Sequence, residues 1–151
     1  MKRQIVKGLA MLMVTLALAA ASAVVANGQS NARLVAQVPF DFVVGDKTLP
    51  AGEYSVAATD QSGATMAIAN SHGDGAIRLS SPSERKDREK AAKLVFHRYG
   101  STYFLAQVWR AGEGTGRELS KSDQERSMAR ELKLAKNGRT FEAVIVVAMA
   151  R

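Results

Sequence analysis

The residues best equipped for chemistry are few, because this 151-residue chain has two histidines and no cysteine. His72 and Asp74 flank Gly73 in a polar, glycine-rich stretch. An imidazole and a carboxylate that close could supply two ligands of a metal site, which needs at least one more. His97 stands between Phe96 and Arg98 and could line a small polar site with Tyr99 and Arg98. A hydrolase or metal enzyme using His72, Asp74 or His97 is therefore one reading. Serine catalysis needs a base held by a carboxylate beside a positioned hydroxyl. No serine here stands in Gly-x-Ser-x-Gly. Gly112-Glu113-Gly114-Thr115-Gly116 suggests a phosphate-cradling loop, but the Lys-Ser/Thr and the helix that should open directly after it are missing. No catalytic residue, metal ligand or cofactor-binding residue is assigned, and the expectation is a protein that is not an enzyme and holds no cofactor. A different chemistry remains at one hairpin. Tyr99, Tyr103, Trp109 and Arg110, with His97 nearby, could contact a ligand through rings and one guanidinium, although the same rings serve equally as core.

These residues must be positioned by strands. Leu34, Ala36, Val38, Phe40, Phe42 and Val44 share one parity, so a pleated strand aims them at one face. Pro39 on the opposite parity cannot donate to a ladder and marks an edge or a bulge. Leu49-Pro50-Ala51-Gly52 turns the chain, proline presetting φ and glycine accepting a positive one. Further strands are expected over 53–59, 64–70 and 76–80, the last around Ile77 and Leu79. The mixed-sign run Glu84 to Lys90 reads as a solvated loop or exposed helical turn.

A hairpin follows over 92–99 and 103–110, joined at Gly100-Ser101-Thr102. Leu94 and Phe96 oppose Val95, His97 and Tyr99. Tyr103, Leu105, Gln107 and Trp109 oppose Phe104, Ala106 and Val108. Strands apolar on both faces sit centrally or under another layer. Ser122, with Glu125 three residues on, is a capping box for one helix. Its narrow stripe of Met128, Leu132 and Ala135 suits a helix lying on a sheet or plugging an open end, and Asn137-Gly138 stops it. The last strand, 140–150, places Phe141, Ala143, Ile145, Val147 and Met149 on one face and Val144 and Val146 on the other. It is expected to be buried on both sides in its middle.

Four stretches together resemble a group of small exported bacterial proteins: Val38-Pro39-Phe40-Asp41-Phe42-Val43-Val44-Gly45, Leu49-Pro50-Ala51-Gly52-Glu53-Tyr54, Leu94-Val95-Phe96-His97-Arg98-Tyr99-Gly100 and Tyr103-Phe104-Leu105-Ala106-Gln107-Val108-Trp109. Gly116-Arg117-Glu118-Leu119 before a charged helix fits as well. The resemblance covers nearly the whole of the expected mature chain. It implies a secreted β domain and brings no activity, ligand or catalytic residue with it.

The address agrees. Lys2, Arg3 and Lys7 precede an apolar run from Gly8 to Ala21 and then small residues, the layout of a secretory signal peptide. Cleavage fits after Ala23 or Ala26, and Ala26 is preferred because Asn27-Gly28-Gln29-Ser30 then opens the mature chain. The alternative is a retained anchor, since Gly8 to Ala26 could just span a bilayer. Processing leaves 125 residues, enough for one core, with 18 basic against 14 acidic side chains, a net +4. That is short of a nucleic-acid-binding signature. Without cysteine the fold has neither disulfides nor thiolate metal sites.

The sequence thus predicts a signal peptide over 1–26, a flexible mature N-terminus over 27–33 and a single β domain over 34–151. The domain is an antiparallel sandwich or partly open barrel of about seven strands, with one surface helix before the last strand. The expected role is a non-catalytic one, binding or structural, in the periplasm or outside the cell, with an envelope or extracellular partner, no nucleic acid and no transmembrane segment after processing. The alternative is a small barrel carrying an apolar ligand.

Overall fold

The computed structural model describes residues 33–135 and 141–151 apart from Asp87 and Glu89. The expected leader, both cleavage positions, most of the 27–33 stretch and the Asn137-Gly138 stop lie outside the described residues. Those residues contain eleven strands and one helix: β1 (Leu34–Val38), β2 (Phe42–Val44), β3 (Lys47–Leu49), β4 (Gly52–Ala58), β5 (Thr65–Asn70), β6 (Gly75–Glu84), β7 (Lys93–Tyr99), β8 (Thr102–Trp109), β9 (Thr115–Leu119), α1 (Asp123–Ala135), β10 (Glu142–Val147) and β11 (Met149–Ala150). No helix among them is long and apolar enough to cross a membrane.

The strand order is β10-β7-β8-β9-β6-β5-β4-β1-β11, with β2 bridging β3 and β8. All pairs are antiparallel except the single parallel bridge of Val43 to Phe104. Two stretches change partners along their length. β6 pairs with β5 over Gly75–Leu79 and with β9 over Ser80–Glu84. The run from Glu142 to Ala150 pairs first with β7 and then, past Ala148, with β1. Ala148 marks the switch by donating its N–H to the Ala92 carbonyl at 2.8 Å. Strands that change sheets in this way turn corners. The two ends of the strand order therefore meet on one run, and the architecture is all-β, between an open sandwich and a barrel.

The count exceeds seven for identifiable reasons. The single strand expected over 34–44 is cut at Pro39, which has no N–H to give, so the chain leaves β1 and re-enters as β2 beside different neighbours. Asp41 Oδ1 fixes the crossing by accepting the Ala51 N–H at 2.8 Å. The strand expected over 140–150 is divided at Ala148. Two short strands, β3 and β9, occupy stretches that read as turn and loop. The strand expected over 76–80 runs on through Ser81-Pro82-Ser83 to Glu84 in β6.

Inside, apolar residues of both halves converge in one cluster that includes Leu34, Val38, Val56, Ile68, Leu94 and Leu105. Rings cross it in sequence. Tyr103 stacks on Phe40 with centroids 4.0 Å apart, and Phe40 meets Phe96 edge-on at 5.2 Å. Phe96 meets Phe42 at 5.3 Å, and Phe42 meets Tyr54 at 4.9 Å. These edge-to-face spacings suit the aromatic quadrupole. The buried Tyr54 hydroxyl is satisfied by the Pro50 carbonyl at 2.8 Å.

Two face assignments differ from the sequence reading. In β8 the register shifts at the β7 pair Val95/Phe96, whose partners are Gln107 and Leu105, leaving Ala106 as the extra residue of a bulge. Parity reverses there. Val108 joins Leu105 in the inner cluster, and Trp109 is buried outside that cluster. In the last strand the heavier apolar face points out. Ile145 is 57% exposed, Val147 67% and Met149 72%, while Val144 and Val146 pack on the inner cluster. The expected burial of both faces is therefore not met. Ile77 and Leu79 likewise face outward on β6.

Candidate functional site

Helix α1 lies on the outer surface of the sheet, where Met128, Ala129 and Leu132 cover Val43, Tyr99 and Phe104. Ser122 Oγ accepts the Glu125 N–H at 3.1 Å, giving the N-cap the sequence predicts. The second half of the capping box would return the Glu125 carboxylate to the Ser122 backbone. Instead Glu125 Oε1 accepts from His97 Nδ1 at 3.1 Å and from the Tyr99 hydroxyl at 3.2 Å. All three side chains are buried. Phe141 stacks on the His97 ring with centroids 3.9 Å apart, and Lys121 Nζ lies 5.8 Å from the Phe141 ring. Burial raises the Tyr99 phenol above its ordinary value near 10, and the Glu125 charge and hydrogen bond push the same way.

A carboxylate on Nδ1 is the orienting half of a catalytic triad. Among the described residues no hydroxyl is hydrogen-bonded to the other ring nitrogen of His97. The arrangement instead acts as a clamp, fastening the first turn of α1 to β7. His72 and Asp74 are elsewhere, on an exposed turn whose organiser is Asn70. The Asn70 Oδ1 accepts the N–H of His72 at 3.0 Å and of Asp74 at 2.9 Å. Among the described residues no group of three His, Cys, Asp or Glu side chains is placed to hold a metal ion. The structure thus separates His97 from His72 and Asp74.

The hairpin residues are also divided. Tyr99 sits under α1. Trp109 is fully buried, its Nε1 donating to Gln107 Oε1 at 3.0 Å and the Arg85 guanidinium lying 4.9 Å from its ring. Gly116 presses on the same indole, where a Cβ would come within 2.5 Å of ring carbon. Neither Tyr99 nor Trp109 offers a surface ring. Tyr103 is half-buried on Phe40, with the Arg98 guanidinium 5.6 Å away. Arg98 turns from His97 and Tyr99 toward Glu142, at 3.4 Å.

Arg110 alone of the five opens onto a cleft, of about 370 Å³, between the β4–β5 turn, the β8–β9 loop and Pro82. This falls within the size range of small-molecule sites. Its floor is Ala58, Met66 and Val108, so it reaches down to the inner cluster. Its rim carries Asp60, Arg110, Glu113 and Arg117. Three of these charges are engaged. Arg110 and Glu113 form an ion pair at 4.0 Å. Asp60 accepts from the Ser62 hydroxyl and from the N–H groups of Ala64 and Thr65. These bonds, that of Ser62 first, hold its carboxyl below the usual range. Arg117 lies over Gly63, where φ is +65° and a Cβ would stand 2.2 Å from the guanidinium. Glycine is needed there twice, for the turn and for the space. Among the described residues the Arg117 guanidinium has no hydrogen-bond or ion-pair partner. The sequence carries no signal that groups Arg117 with Asp60, since nothing local joins residues 57 positions apart.

Compared with protein-family models, curated proteins and solved structures, the chain finds no match. Fold and site define an all-β domain with a clamped surface helix and an open cleft of ligand size.

Proposed function

We propose that this chain is an exported, non-catalytic binding domain of the bacterial envelope, and that the cleft beside Met66 and Arg117 is its binding site. The observation that carries the reading is an open cleft whose apolar floor, continuous with the inner cluster, is ringed by polar groups. Binding sites for small molecules combine these features, apolar area for affinity and a few polar groups for orientation. The leader-like residues 1–26 and the resemblance to small exported proteins support the address. The moderate charge left after residue 26 argues for a partner other than nucleic acid.

The test is expression of the whole chain in a Gram-negative host, fractionation, and native mass spectrometry of the product. The expected result is a periplasmic or secreted species lacking residues 1–26 or 1–23, carrying a small bound mass that Met66→Trp displaces by filling the cleft. A full-length product in the cytosol would sink the export reading. A mature product whose bound masses ignore the Met66 substitution would sink the cleft.

A further inference from the structure

The charges around the cleft do not cancel as simply as their count suggests. Two arginines and two carboxylates face it, but Glu113 is matched by Arg110 and Asp60 is spent on its own turn. What remains is one half-buried guanidinium, that of Arg117, held over Gly63 beside an apolar floor. A guanidinium presents parallel N–H donors that match the two oxygens of a carboxylate. Asp60 and Glu113 keep their negative charges on the same rim, so a monoanion on Arg117 meets less repulsion there than a phosphate dianion. Met66, Val108 and Ala58 offer apolar contact on the floor of the same cleft, with the exposed Pro82 at its side. Resting on the binding reading above, we infer that the cleft takes an amphiphilic carboxylate, its headgroup on Arg117 and its apolar chain on Met66 and Val108.

The probes are octanoate, 1-octanol, acetate and octyl phosphate, titrated into the whole protein while the Met66 methyl resonance is followed. Octanoate should move that resonance saturably. Octanol, with the chain but no charge, should bind about tenfold more weakly, the scale of one charge-assisted hydrogen-bonded contact. Acetate, with the charge but no chain, should not move it. Arg117→Gln should weaken octanoate by about tenfold and leave octanol unchanged. In the unsubstituted protein, octanoate affinity should fall with added salt while octanol affinity does not, a readout that stands even if the variant folds poorly.

Equal binding of octanoate and octanol, or no loss of octanoate in Arg117→Gln, would overturn the carboxylate assignment while leaving the binding cleft in place. Tighter binding of octyl phosphate than of octanoate would do the same. If neither octanoate nor octanol moves Met66, the cleft is not a binding site and both readings fall.

Discussion

His97 Nδ1 donates to Glu125 Oε1 across 3.1 Å, joining two residues 28 positions apart in the chain. One is on β7 and the other in the first turn of α1. The Tyr99 hydroxyl reaches the same oxygen at 3.2 Å. A helix with so narrow an apolar stripe gains little from burial alone, so this polar knot does much to decide where α1 sits. Replacing Glu125 with Ala should strip two buried donors of their acceptor. A loss of about 2–4 kcal/mol is expected in urea unfolding. Glu125→Ala combined with Tyr99→Phe should cost less than the two single changes added together, because both remove the same bond.

The phenol of Tyr99 gives this knot a pH signature. Burial, with Glu125 alongside, raises its folded pKa above the ordinary phenol value. A raised pKa means the folded state holds the proton where the unfolded chain has released it. The associated stability is fully present below about pH 10 and declines as pH rises beyond it. Tyr54 is raised too, mainly by burial, and adds to the same decline. Stability followed from pH 8 should begin to fall as the pH passes about 10 in the parent protein and fall less steeply in Tyr99→Phe.

The closing strand offers a test of which face is inside. Val146→Ala should cost about 1 kcal/mol, since it removes methyl groups packed on the inner cluster. Ile145→Thr, the neighbouring change on the face that is 57% exposed, should stay within about 0.5 kcal/mol. A reversed order in chemical denaturation would mean the strand is the other way round.

Legibility in the sequence followed the range of the interactions. Alternation from Leu34 to Val44, the Leu49–Gly52 turn, the 92–110 hairpin and the Ser122 cap are local, and the sequence analysis places each of them. Face assignment failed where local weight and long-range topology disagree. Phe141, Ile145, Val147 and Met149 form the greasier row of the last strand, yet the inner side is set by pairing with β7 and β1, which delivers Val144 and Val146 inward. The bulge at Ala106 has no glycine or proline to announce it. For the clamp, the capping box was visible but the destination of its carboxylate was not, because His97 and Tyr99 arrive from another strand.

Gly116 provides a fourth prediction. Its backbone lies so near Trp109 that an added Cβ would fall 2.5–2.8 Å from three ring carbons. The indole is fully buried and cannot swing aside without disturbing its neighbours. Gly116→Ala should cost about 1–3 kcal/mol by overpacking and shift the emission of this protein's one tryptophan. An unchanged spectrum and unfolding midpoint would show that the contact is looser than these distances imply.

The run from Glu142 to Ala150, bordered by β7 on one part and β1 on the other, also governs when the molecule can finish folding. A chain threaded out from its amino end presents β1 more than a hundred residues before β11, the partner that seals its free edge. Until that tail emerges, two rows of backbone amides and carbonyls stay open to any passing strand. The seam is thus both the final latch of the structure and the interval of greatest risk from other unfinished chains.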